Sequence, residues 1–432
     1  MPIKIGVILV AAIACLISCS KKQDPNPPGE EEELQLQLTA DETDVEAGKE
    51  ITLTVMAGGQ SITDADIYID NQKVTGYQHA FDEPGAKSIQ AKKAGYKESD
   101  LVAIDVYRWN VYVAGYESNG AIDVAKIWKG QHNDEEGDWA AQNLADEGYH
   151  AAANAITISD GDVYVAGYQN NGSQRTVAKL WKNGEADDLS DGTGNADATA
   201  IAVSGSDVYV AGYEDHTKVV AKLWKNGVAQ DLSDGTENTW VYATAVSGDD
   251  VYAAGQEGNF YKAKMWENGV VHDLNEGDLM GYRVTARSIA VSGSDVYVAG
   301  YDYKNQSGAK YTAKLWKNGE AQDLTDGRTY NAYANAVVAS GSNVYVAGYE
   351  QIDGKYIAKL WKNGEAQDLS DGMENAYATS IAVSGNDVYV AGYEHNGSKY
   401  IAKLWKNGEA QDLTDGWYNA KAYSVAVGKS YE

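Results

Sequence analysis

Cysteine, phenylalanine, proline and histidine are all scarce in this chain of 432 residues, which has 2, 2, 5 and 6 of them respectively. Both cysteines, Cys15 and Cys19, lie near the N-terminus, so no disulfide bond can stabilise the rest of the chain. The histidines share no spacing, and no HExxH, GxSxG, phosphate-loop or EF-hand pattern occurs. The sequence therefore gives little support for catalysis, and we expect no cofactor and no metal.

Positive charge is also in short supply, because 35 basic residues face 63 acidic ones and leave a formal net charge of -28. A field of that sign repels phosphate backbones and anionic headgroups, which argues against nucleic acid as a partner. The abundant residues are 31 tyrosines, 11 tryptophans and 45 glycines. That composition favours β-sheets joined by tight turns over helices.

No apolar run is long enough to span a bilayer as a helix; the longest near the N-terminus is residues 5–17, after a basic start. The pattern matches the core of a secretory signal. It ends in Leu16-Ile17-Ser18-Cys19, which resembles the lipobox of bacterial lipoproteins. The resemblance implies a signal peptide over residues 1–18 and acylation of Cys19, which would anchor the protein in the cell envelope. The alternative is an ordinary signal peptide with an incidental cysteine.

Residues 19–33 contain prolines and a block of four glutamates, a composition typical of a solvated tether. Ser20 stands where lipoproteins kept at the inner membrane carry aspartate, so the resemblance implies the outer membrane. The acidic block is similar to the export tracts of surface-exposed lipoproteins. We expect the membrane to be contacted through the lipid anchor only.

Residues 34–107 read as short strands in which apolar and polar residues alternate, as in residues 34–38 and 51–55. About seventy residues with this rhythm favour a small β-sandwich. The segment resembles the immunoglobulin-like modules of bacterial envelope proteins, which implies a spacer.

From Asn110 onward a sequence repeat of about 45 residues occurs, and its clearest copy is Ala378 to Gly416. Each copy predicts four strands. Its VYVAG tyrosine and its KLW tryptophan recur seven times each, as Tyr112, Tyr164, Tyr209, Tyr252, Tyr297, Tyr345 and Tyr389, and as Trp128, Trp181, Trp224, Trp266, Trp316, Trp361 and Trp405. The repeated tryptophans could stack on sugars, but one aromatic residue per repeat is more typical of core packing.

The two ends of the repeat region complement each other. The first copy lacks its first strand before Asn110, and the chain ends with an unaccompanied first strand at Ala422–Val427. We therefore predict an all-β fold: a seven-bladed β-propeller over residues 108–432, with four-stranded blades and a ring closed by the C-terminal strand, preceded by the small β-sandwich. The repeat resembles the NHL-type and related bacterial β-propeller repeats.

Two features of the repeat are predicted to be structural. Asn-Gly between the third and fourth strands favours a two-residue type I′ turn. That turn places a lysine opposite an aspartate in six copies, as in Lys403 and Asp412, and a direct cross-strand pair of this kind contributes roughly 0.2–1 kcal/mol. The DLSDG and DLTDG segments lack the spacing of the Asp-box of sialidases.

The loops between the fourth strand and the next first strand vary in length and chemistry, whereas those on the opposite face are nearly invariant. Exposed aromatics with interspersed polar residues are typical of recognition sites. The predicted ligand-binding residues are Tyr149, His150, Trp240, Tyr242, Tyr282, Arg283, Arg328, Tyr330, Tyr333, Tyr377, Trp417 and Tyr418.

We expect a monomeric, non-enzymatic envelope lipoprotein that binds a glycan or an envelope protein through that face. Two alternatives stay open: a propeller-type polysaccharide hydrolase or lyase, and an envelope assembly scaffold. Two carboxylates roughly 5–9.5 Å apart in a deep pocket would favour hydrolysis. The fold by itself does not decide between these functions.

Overall fold

The computed structural model describes residues 33–131, 139–145, 148–258, 261–274, 282–304 and 307–431. Within these ranges the regular secondary structure consists of β-strands only, which confirms the all-β prediction. No helix in this part of the chain is long and apolar enough to cross a membrane. The signal peptide, the tether and the predicted lipidation site Cys19 lie outside the described residues.

Two compact units divide the chain. The first consists of the described residues up to Asp41, together with Thr52–Gln78 and Ser88–Ala103; the second consists of Glu42–Ile51, His79–Lys87 and the rest of the chain from Ile104. The first eight strands, all short, are β1 (Gln37–Ala40), β2 (Asp44–Glu46), β3 (Glu50–Ala57), β4 (Gln60–Ser61), β5 (Asp66–Ile69), β6 (Gln72–Val74), β7 (Gln78–Ala80) and β8 (Gly85–Lys92).

In the first unit β3 pairs with β1 and β4, and β5 pairs with β6 and β8, all antiparallel. Along β3 every second side chain is buried, including Leu53 and Val55. This alternation is what a sheet with one apolar face requires.

The second unit is built from repeated four-stranded antiparallel sheets and is a β-propeller. Six sheets share one strand order, inner strand first. Sheet 2 is β12 (Ala151–Ser159), β13 (Asp162–Asn170), β14 (Thr176–Lys182) and β15 (Glu185–Asp188); sheet 3 is β16 (Asn195–Ser204), β17 (Asp207–Asp215), β18 (Val219–Lys225) and β19 (Val228–Asp231); sheet 4 is β20 (Thr239–Ser247), β21 (Asp250–Glu257), β22 (Lys262–Glu267) and β23 (Val270–Asp273).

The next three sheets repeat the pattern. Sheet 5 is β24 (Arg283–Ser292), β25 (Asp295–Tyr303), β26 (Tyr311–Lys317) and β27 (Glu320–Asp323); sheet 6 is β28 (Asn331–Ser340), β29 (Asn343–Ile352), β30 (Lys355–Lys362) and β31 (Glu365–Asp368); sheet 7 is β32 (Ala376–Ser384), β33 (Asp387–His395), β34 (Tyr400–Lys406) and β35 (Glu409–Asp412).

Sheet 1 combines the two ends of the propeller sequence. The C-terminal strand β36 (Ala420–Ser430) pairs antiparallel with β9 (Val102–Ser118), which is followed by β10 (Asp123–Gln131) and β11 (Ala140–Asn143). Hydrogen bonds tie β36 to both sides: the Ile156 N–H donates to Ser424 Oγ of β36, and the Val425 N–H of β36 donates to Ser380 Oγ, at 3.2 Å each.

The outer hairpins have the predicted geometry. Asn407 and Gly408 both have positive φ, 52° and 91°, and the other five Asn-Gly pairs do likewise. These are the angles that a type I′ turn needs. All six lysine–aspartate pairs form ion pairs, for example Lys403 with Asp412 at 2.8 Å. Their structural interpretation is confirmed.

The seven repeated tryptophans are at most 2% exposed, which confirms them as core residues. Each belongs to an apolar cluster shared by two adjacent sheets. Trp224 of sheet 3, for example, is in a cluster with Tyr164 and Ala178 of sheet 2. This packing fixes the inner strands in place.

Candidate active site

Each of the seven inner strands carries one β-bulge, at the same point of its pairing with the second strand. The register shift leaves one unpaired residue per sheet: Asn154, Thr199, Tyr242, Arg287, Asn335, Thr379 and Tyr423. A bulge re-aims a side chain that a regular strand would place elsewhere. All seven of these bulged residues line a single cavity of about 440 Å³, which we call the central cavity.

A glycine opposite each bulge makes this backbone arrangement possible. A Cβ atom on Gly300 would lie 1.9 Å from the carbonyl oxygen of Thr285, and the VAG glycines of the other sheets are equally close to the inner strand. Only glycine tolerates such a close approach. The invariant glycine therefore allows the inner strand to bulge, and the bulge presents the variable residue.

Four bulged residues are small and hold neighbouring sheets together. Thr199 Oγ1 donates to the carbonyl of Val241 at 2.7 Å, and Thr379 Oγ1 donates to that of Ala422 at 2.9 Å. The Nδ2 atoms of Asn154 and Asn335 make the equivalent bonds to the next inner strand. These residues connect inner strands that share no backbone ladder.

The three large bulged residues, Tyr242, Arg287 and Tyr423, form no such bond to a neighbouring carbonyl in the described part of the chain. The guanidinium carbon of Arg287 lies 4.5 Å from the ring centroid of Tyr242. Burial raises the pKa of Tyr242 to about 12, with the charge of Arg287 acting in the opposite direction. Burial also raises the pKa of Tyr423 well above its usual range. Both phenols are therefore protonated at neutral pH.

Asp197 supplies the carboxyl group in the wall of the central cavity. It lies two residues before the bulge of β16, accepts a hydrogen bond from Asn154 Nδ2 at 2.7 Å, and has Tyr213 Oη at 3.5 Å. Burial raises the pKa of Asp197 to about 7, and these two hydrogen bonds offset part of that effect. Asp197 therefore exchanges a proton near neutral pH.

Tyrosine rings form a continuous series around one side of the cavity, which we call the tyrosine arc. Neighbouring rings have centroids 4.8–6.3 Å apart, and the series consists of Tyr301, Tyr311, Tyr333, Tyr349, Tyr356, Tyr377, Tyr393 and Tyr400. They come from sheets 5, 6 and 7. Lys421 of β36 ends the series, with its Nζ 4.6 Å from the Tyr393 centroid and 4.9 Å from that of Tyr400.

Three of the predicted ligand-binding residues meet at this site. Tyr242 and Tyr377 line the central cavity, and Tyr333 belongs to the tyrosine arc. The sequence analysis missed Asp197, Arg287 and the other bulged residues, because it assigned the inner strands to packing alone. One signal marked the bulge: a variable residue between small ones, as in Ala286-Arg287-Ser288.

The other predicted residues lie outside the cavity lining. Trp417 is 77% exposed, and Tyr149, Tyr418, Arg283 and Arg328 are also exposed. His150 Nδ1 accepts a hydrogen bond from the Asp123 N–H, Tyr282 Oη donates to Asp302 Oδ2, Trp240 is paired with Gln256 along the strand, and Tyr330 is half-buried before β28. No cluster of metal-ligating side chains occurs among the described residues.

No protein-family model matches the chain, and no curated protein is similar to it in sequence. Among solved structures it is similar to the β-propeller domain of the Trilobed protease from Pyrococcus furiosus, with 11% identity and a TM-score of 0.45 over 78% of this chain and 96% of that one. It is also similar to a puromycin-hydrolysing peptidase from Mycobacterium tuberculosis, with the same identity and TM-score. The second match covers 63% of this chain and 47% of the peptidase.

The prediction of a non-enzymatic binding protein is wrong. The observation in this chain that argues against a simple binding site is Asp197, which lines the central cavity and whose pKa burial raises to about 7. Carboxyl groups with a pKa near neutrality are typical of acid–base catalysts.

Proposed function

We propose that the central cavity is the active site of an enzyme that cleaves glycosidic bonds in a polysaccharide. The observation that carries the proposal is Asp197, a carboxyl group with a pKa of about 7 in the cavity wall. General acid–base catalysis works best when the pKa of the catalytic group is near the operating pH. Asp197 is therefore the residue that gives or takes a proton at the glycosidic bond.

The lining of the cavity supports a carbohydrate as substrate. A volume of about 440 Å³ is in the range typical of small-molecule sites. Tyr377, Tyr393 and Tyr349 line it and also belong to the tyrosine arc. Tyrosine combines an apolar face with a hydroxyl group, which suits the faces and edges of sugar rings. The other tyrosines of the arc, also from sheets 5–7, extend this surface beyond the cavity lining.

The number of carboxyl groups in the cavity lining favours elimination over hydrolysis by a pair of carboxylates. Hydrolysis of the common kind uses a pair of Asp or Glu side chains on either side of the bond. Among the described lining residues only Asp197 has a carboxyl group, while phenols are numerous. One carboxylate and one phenol are enough for a lyase.

We further infer the setting of the enzyme. The pairing of β36 with β9 and its hydrogen bonds to sheets 2 and 7 support a closed ring of seven blades. The alternating burial in β3 supports an immunoglobulin-like spacer over residues 34–107. The lipobox supports anchoring of a monomer through Cys19 at the outer membrane. In this arrangement the propeller acts on polysaccharide at the cell envelope.

The test is to assay the purified protein and its Asp197→Asn variant against a panel of acidic and neutral polysaccharides, following new reducing ends. We expect cleavage by the parent and a loss of about 10²–10⁴-fold in kcat/KM in the variant, because a positioned acid–base group contributes that much. Asn keeps the shape of the side chain, so the variant should fold. Unchanged activity in Asp197→Asn, or activity against no polysaccharide, would contradict the proposal.

A further inference from the structure

Arg287, in the lining of the central cavity, forms no ion pair with a carboxylate in the described part of the chain. Lys421, at the end of the tyrosine arc, forms none at salt-bridge distance there either, although the charge of Asp123 acts on it. Both are instead held against tyrosine rings. The contrast with the rest of the propeller is clear, because Lys314, also partly enclosed, pairs with both Asp302 and Asp323.

Arg287 projects into the cavity from the bulge of β24. The ring of Tyr242 covers the guanidinium group at 4.5 Å and fixes its position. A guanidinium group has five N–H donors arranged to bind a carboxylate through two parallel hydrogen bonds. The tyrosine ring cannot satisfy that many donors. An anion of the substrate is the partner that this geometry lacks.

Lys421 occupies in β36 the same position, two residues before the bulge, that Asp197 occupies in β16. Burial lowers the pKa of Lys421, and the charge of Asp123 acts in the opposite direction. Lys421 is therefore a second basic group at this strand position, and burial disfavours its charged form. Its rings, Tyr393 and Tyr400, are part of the tyrosine arc.

We propose that the substrate is an acidic glycan containing uronic acid residues, and that it is cleaved by β-elimination. Arg287 binds the carboxylate of the uronic acid at the cleavage site, and Lys421 binds a second carboxylate along the glycan chain. This inference rests on the proposed function, since it names the substrate class of the same cavity.

The reaction needs no reagent beyond the substrate. Arg287 neutralises the uronate carboxylate, which makes the neighbouring C5–H bond more acidic. Ionised Asp197 removes that proton, the electron pair forms a C4=C5 double bond, and the C4–O bond breaks. A cavity phenol, Tyr242 or Tyr423, donates a proton to the leaving oxygen. The products are one unsaturated uronate end and one new hydroxyl end, with no water consumed and no change of redox state.

The experiment incubates the full chain with polygalacturonate, with alginate and with a neutral β-glucan, and records both reducing ends and the ultraviolet absorbance of the C4=C5 bond. We expect an acidic polymer to be cleaved, with one double bond per new reducing end, and the β-glucan to stay intact. Arg287→Gln should lower kcat/KM by about 100-fold or more, as the loss of one oriented donor does elsewhere. Lys421→Gln should mainly raise KM. Arg175→Gln, on an exposed loop, is the matched control and should match the parent.

The outcomes separate this inference from the proposed function. Cleavage of the β-glucan, or reducing ends without the double bond, would overturn the inference and leave the proposed function standing. Cleavage of no polymer would overturn the proposed function, and calorimetric titration of oligogalacturonate would then decide the inference. Binding that is lost in Arg287→Gln would support the anionic site, whereas equal binding by both proteins, or none, would overturn it.

Discussion

The outer hairpins and the inner-strand bulges of the propeller follow opposite rules. Asn-Gly occupies six outer turns without change, and the same lysine–aspartate pair stands beside each of them. The bulged position of the inner strands holds Asn, Thr, Tyr and Arg in different sheets, although its neighbours are Ala or Ser except at Val241. Repetition in this chain serves the architecture, and a variable residue inside an otherwise repetitive segment is where chemistry can differ from sheet to sheet.

The largest expected effect is the loss of stability when a repeated, buried tryptophan is truncated. Trp316→Ala should lower the free energy of unfolding by roughly 3–5 kcal/mol, because Trp316 is 1% exposed and packs between sheets. Trp417→Ala should change it by no more than about 0.5 kcal/mol, since that side chain is 77% exposed. Denaturant unfolding of both variants measures the difference. Equal losses of unfolding free energy in the two variants would contradict the assignment of Trp316 to the core and Trp417 to the surface.

A smaller effect distinguishes the small bulged residues from the large ones. Thr379→Val removes the hydroxyl that donates to the carbonyls of Ala422 and Ala391, and we expect it to cost about 1 kcal/mol of unfolding free energy. Thr379→Ser keeps the hydroxyl and is the matched control. If Thr379→Val proves as stable as the parent, the bulged threonines do not hold the sheets together.

The fold was largely predictable because its rules are local. A two-residue Asn-Gly turn sets the register of its hairpin, and one tryptophan per repeat reveals the packing period. The site was not predictable in the same way, because a bulge interrupts the alternation of inward and outward side chains. Arg287 and Asp197 lie in strands whose small and apolar neighbours indicate packing alone. The sequence pattern favoured the aromatic loops instead, and of those predicted residues only Tyr242, Tyr333 and Tyr377 lie at the site.

The direct measurement is the pH dependence of unfolding for the parent and Asp197→Asn. Folding raises the pKa of Asp197 from 3.8 to about 7, so between these values the folded state holds a proton that the unfolded state has lost. Stability from this group is therefore full below pH 4 and is lost as the pH rises toward 7, by about 2–4 kcal/mol. The variant has no such dependence, so its free energy of unfolding minus that of the parent should rise from pH 4 to 7 and level off above. A difference that stays constant across this range would show that Asp197 has an ordinary pKa and is not the acid–base group of the cavity.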